Sequence, residues 1–214
     1  MFQLTDHTNR KITDIKMKTQ QVKTVTVYGA SSPNIDSGYM DAAKRLGQIF
    51  AQSGIRIVTG AGSTGLMAAV EDGALEAGGE AIGIIPTFMV REGWMHNSLT
   101  QVIETEDMHK RKELMAQMAD AVVALPGGPG TFEELMEIVT WKMLALFDKP
   151  IVILNTNGYY EPLLNMLHKS AECGFMRSEF LNAWVVVDKP EDVLPAINSA
   201  LEWNPGVDKY QKSR

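Results

Sequence analysis

The sequence predicts an α/β fold: a doubly wound, mostly parallel sheet with helices on both faces. Three observations point there. Six short runs rich in aliphatic and β-branched residues recur along the chain. Segments of helical period separate them, and this alternation specifies a parallel sheet covered on both sides. Small-residue or glycine-rich loops follow the first, second and fourth runs, at the strand ends where such sheets bind ligands.

Residues 1–21 are polar without a clean period, which suggests a tail or an arm docking on a partner subunit. Val22–Tyr28 is the first strand, and the loop Gly29-Ala-Ser-Ser-Pro-Asn34 follows it. Ala42, Ala43, Leu46, Ile49 and Phe50 give a helix from Tyr39 to Gln52. Ser37 is its expected N-cap and Gly54 its stop. Ile55–Thr59 is the second strand, leading into Gly60-Ala-Gly-Ser-Thr-Gly65. A helix through Leu66, Met67, Val70, Ala74 and Leu75 then ends at Gly78-Gly79. Ala81–Ile85 is the third strand, closed by Pro86.

Residues 87–105 read as an irregular crossover, long enough to suggest a functional role. Glu106-Asp107 opens a helix over Met108–Ala119, where acidic residues complement the dipole. Ala121–Leu125 is the fourth strand, 126–130 a glycine-rich turn, and a helix runs from Thr131 to about Leu146. Ile151–Leu154, a helix near Tyr160–Glu172, Trp184–Val187 and a helix over Pro190–Leu201 complete the pattern. The expected organisation is one domain over 22–203, between tails at 1–21 and 204–214. In doubly wound order the first and fourth strands adjoin at the switch point, bringing Gly29–Ser32 beside Gly127–Thr131.

A length of 214 residues suits one domain with a good core. Hydrophobic residues at 45% and charged residues at 21% describe an ordinary soluble protein. The net charge of −6, with no long block of like charge, argues against nonspecific nucleic-acid binding. No apolar run approaches a membrane span, and the first residues hold charges and no apolar stretch of a secretory signal. One cysteine, Cys173, excludes an internal disulfide framework and fits a reducing cytosol. The chain is therefore expected to be cytoplasmic, with neither nucleic acid nor membrane as partner. His7, His96, His109 and His168 are scattered, so no metal-ligand spacing appears and no metal is expected.

The chemistry concentrates in Ala121–Glu134. Gly127, Gly128 and Gly130 leave backbone N–H groups bare. The helix behind them aims its positive end at the same place, which makes an anion site, most often for phosphate. Glu133 and Glu134 sit at its edge. A pure phosphate cradle gains nothing from added carboxylates, so they suggest chemistry on something attached to the phosphate. Thr131-x-x-Glu134 is equally a capping box, with Thr131 as N-cap. Arg111-Lys112 can be a solvated helix face or a clamp over the glycine turn. Gly60-x-Gly62-x-x-Gly65 spells a dinucleotide fingerprint, but it follows the second strand, and Glu80 precedes the third strand instead of ending it. A tight turn lining a nucleotide pocket fits better. The 13 methionines are mostly core filler, with Met67, Met108 and Met115 expected to flank the site.

Four motifs together resemble the LONELY GUY family, often labelled "possible lysine decarboxylase". Pro126-Gly-Gly-Pro-Gly-Thr-Phe-Glu-Glu134 fits P-G-G-x-G-T-x-x-E, and Met108-His-Lys-Arg-Lys112 fits M-H-x-R-K. Gly29-Ala-Ser-Ser32 resembles the family's first loop, and Gly60–Met67 its second, with Ala61 where glycine is usual. The likeness spans about 22–190. It implies a modified Rossmann domain acting as a phosphoribohydrolase. Such enzymes cleave the N-glycosidic bond of cytokinin riboside monophosphates, and often AMP, to free base and ribose 5-phosphate. It implies Arg111 and Glu134 as the catalytic pair. Lys112, Gly128, Gly130, Thr131 and Glu133 would bind nucleotide, together with the loop residues Gly29, Ser31, Ser32, Gly62, Ser63 and Gly127. Glu92 would be a further binding glutamate, although the loop after it is one residue longer here and Gly93-Trp-Met-His-Asn97 is unlike the usual sequence. The resemblance also implies a homodimer or larger assembly. No cofactor is needed.

Two rivals stand beside this reading. A nucleotide or molybdenum-cofactor carrier would need the cradle but not the carboxylate. A pyridoxal-phosphate decarboxylase would need a Schiff-base lysine, and the usual S-x-H-K context is absent.

Overall fold

In the computed structural model, which describes residues 22–200, seven parallel strands form one sheet. The expected tails at 1–21 and 204–214 lie outside the described residues. The elements are β1 (Thr24–Tyr28), α1 (Ser37–Gln52), β2 (Arg56–Thr59), α2 (Gly65–Glu76), β3 (Ala81–Pro86), α3 (Thr87–Arg91), β4 (Gln101–Thr105), α4 (Met108–Met118), β5 (Ala121–Ala124), α5 (Pro129–Met143), β6 (Ile151–Leu154), α6 (Glu161–Glu172), β7 (Val185–Val187) and α7 (Pro190–Ser199). The strand order is β4-β3-β2-β1-β5-β6-β7. β1 pairs with both β2 and β5, Val25 lying opposite Ile57 and Ala121. The chain thus reverses direction across the sheet between β1 and β5, as the doubly wound order requires.

The strands are short because each crosses the core once, and apolar because both faces are covered. On β1, Val25 and Val27 pack with Leu46 and Phe50 of α1, Val70 of α2 and Ile197 of α7. Tyr28 belongs to the opposite cluster, with Met115 of α4, Leu135 and Ile138 of α5 and Leu164 of α6. Thr26 turns to that second face as well, and its hydroxyl donates to the Met115 carbonyl at 2.7 Å. One polar atom inside the sheet is satisfied and α4 is pinned in the same contact.

Several boundaries differ from the sequence reading. The crossover at 87–105 is ordered: it contains α3 and the edge strand β4. An edge strand pairs on one side only, so Gln101-Val-Ile-Glu-Thr105 can stay half-exposed and lacks the apolar run of a central strand. Asp36, not Ser37, caps α1, its carboxylate accepting from the Gly38 N–H at 2.9 Å. The sequence placed Thr131 as an N-cap, but α5 starts at Pro129 with Gly128 as the cap residue, and no side-chain cap forms. Proline is suited to the first helical position, where its missing N–H costs nothing. The capping box Thr131–Glu134 is therefore not made, and Glu134 is free for another partner. α5 also ends at Met143, so Leu146 lies beyond it.

Candidate active site

The C-terminal ends of β5, β1, β2 and β3 open onto one cavity of about 660 Å³. Each wall is set by local backbone chemistry. The first loop, Gly29–Ser32, is held from both sides. The Ala30 N–H donates to the Pro126 carbonyl at 3.1 Å, and the Ala30 carbonyl accepts from the Met67 N–H at 3.1 Å. Gly65 makes the second contact possible. Its φ is +70°, and a Cβ there would sit 2.5 Å from the Ala30 carbonyl oxygen.

The glycine turn after β5 is braced from behind by two tyrosines. The Tyr160 hydroxyl donates to the Leu125 carbonyl at 2.7 Å, and the Tyr159 hydroxyl to the Gly127 carbonyl at 2.6 Å. With those carbonyls turned back, Gly128, Gly130 and Thr131 line the cavity at the start of α5. There the first helical N–H groups lack intrahelical partners. Gly127 does not line it; a Cβ at Gly127 would fall 2.1 Å from the Thr131 hydroxyl oxygen.

Arg111, on α4, reaches under the second loop. Its Nε donates to the Ile84 carbonyl at 3.1 Å and its Nη1 to Glu134 Oε1 at 2.7 Å. The two side chains are only 5% and 8% exposed, so this is a buried, charge-assisted pair at the cavity wall. Burial pushes the Glu134 carboxyl above its ordinary range, while the Arg111 charge and hydrogen bond pull it back. Burial, and then the charge of Glu134, raise the Tyr28 phenol so that it stays neutral.

Lys112 turns away from the cavity to hydrogen-bond Glu133 and Glu137. Its burial alone would lower its pKa; those hydrogen bonds raise it above the ordinary lysine value. Glu133 lines the cavity mouth, braced by this contact.

Between Ala61 and Ser63 the second loop is not a phosphate cradle. The Ala61 N–H is taken by the Thr59 hydroxyl, the Gly62 N–H by the Met67 sulfur at 2.9 Å and the Ser63 N–H by the Trp94 carbonyl at 2.9 Å. No pyrophosphate could claim them without breaking these bonds, which rules against the dinucleotide spelling. Below the loop, Thr59 donates in turn to Glu71, a fully buried carboxyl whose second oxygen has no partner among the described residues. Burial pushes that carboxyl up to about 8.

Of the residues expected from sequence, Arg111, Glu134, Gly29, Ser31, Ser32, Gly62, Ser63, Gly128, Gly130, Thr131 and Glu133 all line the cavity. Gly127 and Lys112 sit just behind it, and Glu92 is exposed at the end of α3, outside the lining. Met67 and Met108 flank the site as expected, whereas Met115 is a core residue with no exposure. Ile85, Met89 and Trp94 are lining residues that the motifs did not reveal. Among the described residues no cluster of His, Cys, Asp and Glu could hold a metal, and no helix is long and apolar enough to cross a membrane.

Known proteins resemble this chain closely. Residues 67–197 match the family model described as "possible lysine decarboxylase". A Rhodococcoides fascians protein named cytokinin riboside 5'-monophosphate phosphoribohydrolase is 39% identical, over 83% of this chain and 90% of its own. An Arabidopsis thaliana protein of the same name is 36% identical, over 86% of this chain and 81% of its own. Among solved structures, the molybdenum cofactor binding protein of Rippkaea orientalis superposes with a TM-score of 0.65, covering 84% of this chain and 98% of that one. At 23% identity that likeness shows the fold alone.

Proposed function

The chain belongs to the family described as possible lysine decarboxylase, that of the cytokinin riboside 5'-monophosphate phosphoribohydrolases, and we propose on this basis that it hydrolyses the N-glycosidic bond of a purine nucleoside 5'-monophosphate. The products are the free base and ribose 5-phosphate. The observation that carries the reading is the buried Arg111–Glu134 pair beside the glycine turn. A carrier needs the cradle and has no use for a buried carboxylate at its edge. A Schiff-base decarboxylase needs a lysine in the cavity, and the lining contains none.

The 5'-phosphate binds the free N–H groups at Gly128–Thr131, where the helix dipole adds attraction. Its binding energy places the sugar. Breaking the C1'–N bond develops positive charge on the ribosyl ring. Glu134 stabilises that charge and orients the water whose oxygen bonds to C1' as the base leaves with a proton. Arg111 fixes the carboxylate in place. Gly29, Ser31, Ser32, Gly62 and Ser63 enclose the sugar. Glu133 sits at the cavity mouth, held there by Lys112.

The decisive experiment is base release from AMP and isopentenyladenosine monophosphate, followed by chromatography. Free base with ribose 5-phosphate, and untouched nucleosides, is the expected result. Intact bound nucleotide would overturn the reading in favour of a carrier. A homo-oligomer is part of the same proposal: Leu144 and Leu146 after α5 are 59% and 70% exposed, which supports a subunit contact, and analytical ultracentrifugation tests it. A reducing cytoplasmic location agrees with the single, exposed and unpaired Cys173.

A further inference from the structure

The cavity has a second end, with chemistry of its own. Across the sheet the strands that frame it run β5, β1, β2, β3. At about 4.8 Å per strand, the segment after β3 lies roughly 14 Å from the glycine turn after β5. The side chains that β3 and this segment contribute are Ile85, Met89 and Trp94, and Met67 and Met108 extend the wall. All five are apolar or soft, and the only polar atom among them is the Trp94 indole N–H. The backbone of the neighbouring loop offers no free N–H to a base edge at Ala61, Gly62 or Ser63, because those groups are already bonded within the protein. The Thr64 hydroxyl is likewise donated to the Ser31 carbonyl.

Trp94 itself is tightly held yet open. Its carbonyl accepts from Ser63, and its N–H donates to the Met89 carbonyl at 3.2 Å. Met95 bridges to Gly62, and the His96 N–H donates to the Ala61 carbonyl at 2.9 Å. The His96 ring closes the loop from outside, its Nε2 lying 3.0 Å from Asp72 Oδ1 on α2. Despite these anchors Trp94 is 50% exposed. A large flat ring on an anchored backbone, open at the cavity wall, offers a stacking face.

We infer that Trp94 is the specificity-determining residue of the site: it recognises the base by stacking area and not by its edge, so purine nucleoside 5'-monophosphates are accepted as a class over pyrimidine ones. This rests on the hydrolase reading of the cavity. A site that hydrogen-bonds a substrate group rejects analogues lacking it by about 10⁴-fold or more, whereas an apolar pocket discriminates by roughly 10- to 200-fold. The wall beside Trp94 is of the second kind.

The test measures kcat and KM for AMP, IMP, GMP, CMP and UMP on the full chain, Trp94→Ala and Trp94→Phe. In the wild type the three purine nucleotides should agree within about tenfold in kcat/KM, with the pyrimidines about 10- to 200-fold lower. Trp94→Ala should raise the purine KM by about 5- to 150-fold, with kcat changing less. Phenylalanine should restore most of the loss, because it keeps a stacking face. A separation of AMP from IMP and GMP by about 10⁴-fold, or an unchanged KM for AMP in Trp94→Ala, would overturn the inference. If the wild type hydrolyses none of them, the hydrolase reading fails separately. Calorimetric binding of AMP and of base-free ribose 5-phosphate then decides: weakening of AMP alone by Trp94→Ala supports the stacking role, and equal or absent effects on both refute it.

Discussion

Gly60→Ala separates the geometry of the Arg111–Glu134 pair from its proposed chemistry. The substitution adds one methyl group at the end of β2, where a Cβ would sit 1.8 Å from Arg111 Nη2 and 2.9 Å from its Cζ. Ordinary contact begins at about 3.4 Å, so the guanidinium must retreat by about 1.6 Å. It has little slack, since Nε is held by the Ile84 carbonyl and Nη1 by Glu134. A shift of that size breaks at least one of those bonds and moves the guanidinium that orients Glu134. Hydrogen bonds to charged groups contribute about 1.5–3 kcal/mol, so stability should fall by about 2 kcal/mol. Misplacement of about 1 Å typically costs about 10²-fold in rate, and turnover of AMP should drop by at least that much. The assay is ribose 5-phosphate release under saturating AMP, with urea denaturation run in parallel. A variant with wild-type turnover and wild-type stability would refute the claim that Gly60 makes room for Arg111.

Three further outcomes are expected. Glu134→Gln should lower kcat by about 10²- to 10⁴-fold while AMP binding by calorimetry stays near wild type; full activity would remove Glu134 from the chemistry. Tyr160→Phe strips the hydroxyl from the Leu125 carbonyl and leaves it unsatisfied in the core, so unfolding free energy should fall by about 1–3 kcal/mol, with a higher KM for AMP; no change in either would mean the turn does not depend on this brace. The Glu71 carboxyl keeps its proton up to about 8 in the folded chain, against 4.5 in the unfolded chain. Between those values the folded state holds the extra proton, so stability falls as pH rises, by up to about 1.4 kcal/mol per pH unit, and levels off above pH 8. Glu71→Gln should flatten that slope in urea titrations at pH 5.5, 6.5 and 7.5, and an unchanged slope would show that Glu71 is not its source.

The sequence carried the switch point and most of the anion end, because those depend on residues whose reason is local. Glycines set between a buried strand and a helix bare their N–H groups beside the helix's positive end whatever the rest of the chain does, whereas the spacing of Arg111 and Glu134 leaves their roles open and only the family resemblance pairs them. The edge strand β4 was hidden because an edge needs no continuous apolar run. The capping box failed because Thr131-x-x-Glu134 is a local pattern, and a tertiary partner, Arg111, holds Glu134 instead. The sequence marks Trp94 only as part of a crossover long enough to be functional, and does not single out Met89, since the pairing of Met95 with Gly62 sets Trp94 at the cavity and the end of β3 sets Met89 there. Nothing in the spacing of Gly93–Asn97 reports a contact with a loop thirty residues earlier.

Two glycine loops of similar composition thus do opposite work. After β5, the tyrosine hydroxyls draw the carbonyls of Leu125 and Gly127 backwards, and the N–H groups at the head of α5 remain available for an anion. After β2, the N–H groups of Ala61, Gly62 and Ser63 are taken by Thr59, Met67 and Trp94, so that stretch is a rigid support and not a donor array. The difference sets a polarity along the cavity: anion at the β5 end, flat apolar surface at the β3 end, and the Arg111–Glu134 pair at the wall between the loops. A molecule with a phosphate at one end and an aromatic ring at the other matches that polarity in one orientation only. In the proposed reaction, that orientation brings the bond joining sugar to ring toward Glu134. The glycines allow close approach in both loops, but what occupies their N–H groups decides which end of the substrate each one receives.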